Sequence, residues 1–375
     1  MKRFGKYVVV VFVNLVLLIV MLKVIDIFFE EEVPDFQIQQ RQISLNEYPS
    51  NADFVAGPSS SVFNATQNLE NKEYRLRTDQ YGFIIGPSDI GRLHDDIDII
   101  FFGGSTTECF FVDEDKRFPY LVGEILSNET GKRVTVRNAG LMGKHSMKSN
   151  FDLMTRGLQT NPKTVVLMHN INDLVQLLYV NSYFDGPDTR RITTDVVENK
   201  NRRSFLYRWA FQVKEWVMPN LYREVTQIFN SENGEGLNED EWAGWRNESE
   251  IEYDYVKGKF KNSLLTFISI AKSNNMQVVL MTQFNRFNVD DDFIVKNYYD
   301  NVVKSINHNS FFEFYHIFND VIREVADNEN VLLVDLAKEI PPTMEYLYDA
   351  VHVNTNGSVL SAHIIADLLN RNFYQ

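Results

Sequence analysis

The sequence predicts a three-layer α/β fold, a mostly parallel sheet covered by helices on both faces, and three observations predict it. Short apolar, β-rich runs at 98–103, 133–137, 164–168, 277–281 and 331–334 alternate with longer stretches of helical spacing at 118–126, 147–158, 255–271, 292–326 and 356–369. The first three runs stop on Gly103-Gly104-Ser105, on a turn from Asn138 to Gly143, and on His169-Asn170-Ile171-Asn172-Asp173. A parallel sheet collects such turns at one edge, so residues far apart in sequence meet there. The composition, 44% hydrophobic and 23% charged over 375 residues, is that of a globular chain with a sizeable core.

The chain begins with Lys2, Arg3 and Lys6, then an uncharged run over 7–22. Sixteen helical residues reach only about 24 Å, short of a hydrocarbon core of about 30 Å. Apolar character resumes to Phe29 past Lys23 and Asp26, which gives a sufficient span if Lys23 snorkels. Glu30, Glu31 and Glu32 close the segment, and no small-residue cleavage site follows it. The expectation is a transmembrane anchor over 1–32, N-terminus cytoplasmic, with the remaining chain extracytoplasmic. Residues 33–95 read as a stalk and an approach to the domain: Gly57-Pro58-Ser59 is a turn signal, and 74–79 alternates like a short edge strand. Residues 96–375 form the domain proper.

Net charge is −14, without a basic footprint for nucleic acid. No glycine-rich phosphate loop and no spaced Cys/His set is present, so no cofactor and no metal is expected. The single cysteine, Cys109, reads as a small buried hydrophobe.

The first strand, Asp98 to Gly103, ends on Gly104 and Ser105. Glycine there permits positive φ and close approach. Alone, this stretch is an ordinary strand-ending turn. A serine hydroxyl becomes a nucleophile only beside a base, usually a histidine oriented by a carboxylate. Near the C-terminus, Asp349 and His352 stand three apart, a spacing that brings both to one side of a helical or turn-like loop. Acyl transfer also needs donors for the developing oxyanion. The backbone N–H of a glycine after the second strand, the Asn172 amide and the Ser105 N–H are the candidates.

These four blocks, in this order, resemble the SGNH (GDSL-type) hydrolase superfamily, over roughly 97–175 and 255–370. The resemblance implies a flavodoxin-like α/β/α fold with Ser105 as nucleophile and Asp349 and His352 completing the triad. It implies an oxyanion hole of Ser105, Gly143 (Gly140 being the alternative) and Asn172. Two positions depart from the family pattern: Gly104 replaces the aspartate of Gly-Asp-Ser, and Asn170 replaces the glycine of Gly-x-Asn-Asp. A side chain at Asn170 narrows the site or adds a donor.

The family-like core is interrupted over about 175–254 by an aromatic-rich insert that holds all four tryptophans, Trp209, Trp216, Trp242 and Trp245. It reads as a helical lid with its own aromatic core, or as a stacking platform for sugar rings. Asn170, His145, His169, Trp209 and Trp216 are the candidate substrate contacts. The resulting expectation is a membrane-anchored serine esterase acting on an acylated carbohydrate or other ester. A polysaccharide O-acyltransferase with the same triad and a catalytically silent glycan-binding module are the alternatives.

Overall fold

A computed structural model of the chain describes residues 12–21, 42–43, 45–91, 96–185, 192–194, 248–287, 293–296 and 306–374. The chain divides into two units, 1–43 with 193–238, and 44–192 with 239–375. In the first, residues 12–21 are helical and exposed, and β1 (Gln42–Ile43) pairs antiparallel with β8 (Thr193–Thr194). Among the described residues no helix is long and apolar enough to cross a membrane. Most of the expected anchor over 1–32, and most of the insert over 175–254 with Trp209 and Trp216, lie outside the described residues.

The second unit is built on an eight-stranded sheet in the order β10-β9-β7-β5-β6-β4-β3-β2. Five strands run parallel: β5 (Ile99–Gly103), β6 (Val136–Asn138), β7 (Thr164–Met168), β9 (Gln277–Met281) and β10 (Leu332–Val334). Taken in chain order, their spatial sequence is 2-1-3-4-5, the flavodoxin-like arrangement. Three short antiparallel strands, β2 (Asp53–Ala56), β3 (Tyr74–Thr78) and β4 (Ile84–Ile85), extend the sheet beyond β6. They come from the stretch the sequence reading assigned to a stalk and approach.

β5 and β7 are buried at every position because both faces of the sheet are covered, and their apolar residues serve both layers. Ile99 and Phe101 of β5 pack with Phe118, Val122 and Leu126 of α2 (Phe118–Thr130) and with Ala362, Ile365 and Leu369 of α7 (Thr355–Leu369). Ile100 and Phe102 point to the other face. There they meet α4 (Ile171–Val180), α5 (Tyr253–Ser273) and α6 (His308–Asn328) through Leu174, Phe260, Phe267 and Phe318. The two phenylalanines mark the two layers, Phe101 edge-on to Phe118 at 5.8 Å and Phe102 edge-on to Phe267 at 5.4 Å. Tyr179 and Tyr183, from the start of the insert, belong to this second layer and not to a separate aromatic core.

Candidate active site

Ser105 opens α1 (Ser105–Glu108), a single turn of helix directly after β5. The two glycines before it are needed for space and not for unusual dihedrals. Gly104 has φ −89°, and neither glycine is among those with positive φ. A Cβ on Gly103 would overlap the Thr107 side chain and sit 2.8 Å from the Met168 carbonyl. A Cβ on Gly104 would overlap the Asn172 amide nitrogen and sit 3.1 Å from the Lys144 carbonyl. The turns after β5, β6 and β7 therefore touch at Gly104. The aspartate of the family pattern has no room at this position while Asn172 holds its place.

His352 Nε2 lies 2.7 Å from Ser105 Oγ, and His352 Nδ1 lies 2.7 Å from Asp349 Oδ2. The Asp349–His352 segment is a tight loop closed by a bridge between Leu347 and Val353 and by a 3.0 Å bond from Tyr348 N to the His352 carbonyl. Asp349 Oδ1 accepts from the backbone N–H of Val351 and His352 at 2.8 and 2.7 Å, so one oxygen fixes the loop and the other faces the imidazole. Asn354 then caps α7 by accepting from Gly357 N at 3.1 Å.

Burial works to raise the Asp349 pKa, but the charge and hydrogen bond of His352, with the two backbone donors, outweigh it and hold the carboxyl below its ordinary value. Burial works to lower His352. The charge and hydrogen bond of Asp349, then the charge of Glu108, outweigh it and raise the imidazole above its ordinary value. This is the electrostatics of a base that is to receive a proton.

Gly143 sits at φ +73°, a conformation that favours glycine, on a turn closed by Lys144 N to Leu141 O at 3.1 Å. A Cβ there would meet nothing within 4 Å. Gly140 is different: its N–H is engaged by Asn138 Oδ1 at 2.8 Å, and a Cβ would overlap the Glu108 backbone nitrogen. Of the two glycines, Gly140 has its N–H already committed within the turn. Asn172 donates one amide hydrogen to the Lys144 carbonyl at 2.9 Å, which sets the nitrogen toward Gly104 and leaves the second hydrogen available. Ser105, Gly143, Asn172, Asp349 and His352 are each half-buried, while most residues beside them are buried.

Three other candidates turn inward, which corrects their expected contact with substrate. Asn170 is 1% exposed, and its amide bonds the Tyr315 carbonyl and Asn319 Oδ1, so it neither narrows the site nor adds a donor to it. His145 is 0% exposed and caps α3 (Ser146–Asp152), and His169 is 2% exposed with Nε2 2.8 Å from Ser149 Oγ. Cys109 is also buried, which pushes its thiol up to about 12, as suits an inert side chain.

Several supporting residues were not found by sequence reasoning. Gln283, just past β9, donates to Thr106 Oγ1 at 2.7 Å and accepts from Ile171 N at 2.8 Å, tying α1 to the start of α4. Arg286 and Gln67 brace the Asp-His loop through its carbonyls: Arg286 N bonds Ala350 O at 2.9 Å, and Gln67 N bonds Tyr348 O at 2.7 Å. Glu108, the last residue of α1, is 1% exposed and takes a hydrogen bond from the Tyr48 hydroxyl. Burial pushes its carboxyl up to about 7 against the opposing Tyr48 bond and the charges of Arg117, His352 and Lys144. The signal that existed was a glutamate three residues after the nucleophile candidate, one helical turn away.

No protein-family model and no curated protein matches the sequence. Among solved structures, the chain is similar to a lipase/acylhydrolase from Enterococcus faecalis, at 17% identity over 73% of this chain and 96% of that one, TM-score 0.42. It is also similar to an acetyl xylan esterase from Geobacillus stearothermophilus, at 14% identity over 75% and 100%, TM-score 0.41. A third is the acetyl xylan esterase AlAXEase, at 17% identity over 72% and 98%, TM-score 0.40. The functional reading rests on the site's own geometry.

Proposed function

We propose that the chain is a serine esterase that cleaves an acyl ester through an acyl-enzyme. The observation that carries this reading is the unbroken hydrogen-bond chain from half-buried Ser105 through His352 to Asp349, with 2.7 Å at each step. Ser105 Oγ attacks the ester carbonyl as His352 Nε2 takes its proton. The carbonyl oxygen becomes an oxyanion facing the N–H groups of Ser105 and Gly143 and the Asn172 amide. When the intermediate collapses, His352 returns the proton to the departing alcohol. Water then gives its proton to His352 and adds to the acyl carbon, and as this second intermediate collapses His352 passes that proton to Ser105 Oγ, releasing the acid. Asp349 keeps the imidazole in the tautomer with hydrogen on Nδ1 and stabilises the imidazolium.

The substrate class in this reading is an acylated carbohydrate at the cell surface, with short acyl groups such as acetyl. It rests on the N-terminal segment as an anchor that leaves the domain outside the cytoplasm, for which the charge pattern of residues 2–32 and the helical, apolar, exposed residues 12–21 are the support. The full chain, purified in detergent, releases acid from p-nitrophenyl acetate, and Ser105→Ala abolishes the release. Equal activity in the two proteins overturns the assignment.

A further inference from the structure

A second polar cluster, buried, surrounds the residue that follows Asn172. Asp173, the residue after Asn172, is 0% exposed on the first turn of α4. Its carboxylate accepts from Ser146 N at 3.1 and 3.0 Å, from the Ser146 hydroxyl, and from Tyr183 Oη at 2.7 Å. His169 Nδ1 stands 3.5 Å from its other side. Ser146 Oγ lies 2.7 Å from Ser263 Oγ on α5, which Asn150 of α3 also bonds, at 3.1 Å. Each of these residues is at most 3% exposed and is bonded or in close polar contact within the cluster.

The position of this cluster is what matters. Ser146 is the first residue of α3, three residues past Gly143. The segment between them is held at its base: the buried Lys144 ammonium bonds the Ala139 carbonyl at 3.1 Å and Asp152 at 2.7 Å. The turn just before it is exposed: Met142 is 72% exposed, and a Cβ on Gly143 would meet nothing within 4 Å. Consecutive residues of α4 grip this segment from the other side, Asn172 at the Lys144 carbonyl and Asp173 at the Ser146 backbone and hydroxyl. The two side-chain and loop donors proposed for the oxyanion thus sit on separate elements joined by adjacent links.

Resting on the esterase reading, we infer that Asp173 is a positioning residue of the oxyanion hole. By fixing the start of α3 to α4, it sets the Gly143 N–H against the Asn172 amide. It touches no substrate, and a misplacement of about 1 Å in such a donor is enough to cost about 10²-fold in rate. An ordinary core carboxylate would matter for stability alone. Asp173 matters also for the distance between two donors, so its loss is felt in kcat and not in KM.

The test compares the wild-type full chain with Asp173→Asn and with Ser146→Ala, a milder variant that removes one hydroxyl donor. Hydrogen exchange is read across residues 141–147, and p-nitrophenyl acetate kinetics are measured at a temperature where each variant is folded. The expected result is faster exchange at Gly143 and Lys144. With it, kcat falls by about 10- to 100-fold for Asp173→Asn and less for Ser146→Ala, with KM within about threefold. In an Asn172→Ala background the Asp173→Asn loss shrinks to about threefold or less, because the partner donor is already gone. If Asp173→Asn does not fold, Ser146→Ala is scored by the same criteria. Unchanged exchange at 141–147, or a kcat loss of equal size with and without Asn172, overturns the inference. Wild-type hydrolysis unaffected by Ser105→Ala overturns the esterase reading instead, while the exchange result still decides the role of Asp173 in holding the loop.

Discussion

Among the described residues, the second unit holds two Ser-His-Asp groupings, and comparing them separates geometry from chemistry. Ser105, His352 and Asp349 meet at 2.7 and 2.7 Å, whereas Ser149, His169 and Asp173 meet at 2.8 and 3.5 Å. The residue types are the same. The first group is half-buried at the edge of the sheet, and the second is at most 2% exposed. His352 is raised above its ordinary pKa because Asp349 and Glu108 outweigh its burial. His169 is pushed well below by burial, then by the charges of His145 and Lys144. Burial raises Asp173 to about 6 against the bonds from Ser146 and Tyr183, while Asp349 stays below its ordinary value. A histidine that resists protonation cannot serve as a base, and a serine that no substrate reaches cannot be a nucleophile. The buried trio orders the scaffold, and the half-buried one has the access and the proton affinity that the chemistry requires.

The sharpest way to break this comparison is to remove each serine hydroxyl in turn. Ser105→Ala lowers kcat by about 10⁶-fold, as for a nucleophile within a cooperating triad. Ser149→Ala leaves that chemistry in place and lowers stability by about 1–3 kcal/mol, since it strips a buried histidine of its partner. Thermal unfolding and ester hydrolysis on the same samples resolve the two. Next in size is Asn172→Ala, which removes one oxyanion donor and reduces kcat by about 10²–10³-fold with little change in KM.

Gly104→Asp supplies the aspartate of a Gly-Asp-Ser pattern but forces the Asn172 amide aside. Its expected loss in kcat is about 10²-fold, and Asn172→Ala present in the same chain largely masks it. The smallest effect concerns pH. The rate needs neutral His352, so kcat/KM falls as pH drops through a pKa raised above 6.5. Glu108 contributes to that raise, so Glu108→Gln moves the acid limb to lower pH, whereas His169→Gln leaves the limb where it is. A pH–rate profile of each variant checks both statements.

Much of this was legible in the sequence, for reasons that individual elements make plain. The runs at 164–168 and 277–281 coincide with β7 and β9 because a strand covered on both faces reads as a near-continuous apolar run, here the four residues after Thr164 and after Gln277, and stops where polar residues begin. Asp349 and His352 were legible because both groups sit in one short loop, so their distance is a local property. Long-range pairing was not. The strands β2 and β3 are mixed in polarity, β4 is only two residues long, and their place in the sheet depends on β6, far along the chain. Tyr48 under Glu108 and Gln67 under Tyr348 have the same character.

Proximity to the site in sequence also misled. His169 and Asn170 lie within three residues of Asn172 but turn into the core, Asn170 toward α6 and His169 toward α3. The sequence pattern placed them near the site without fixing which way they point. Gly104 was legible as a departure from the family pattern, yet its reason lies in the Asn172 amide pressed against it, which only the packing reveals.

The most direct measurement of the central claim is covalent labelling of the folded full chain with a fluorophosphonate, followed by identification of the modified residue. The account predicts one adduct, on Ser105, lost in His352→Ala, with Ser149 unmodified. A folded chain that takes no label at Ser105, or takes it at Ser149, contradicts the account.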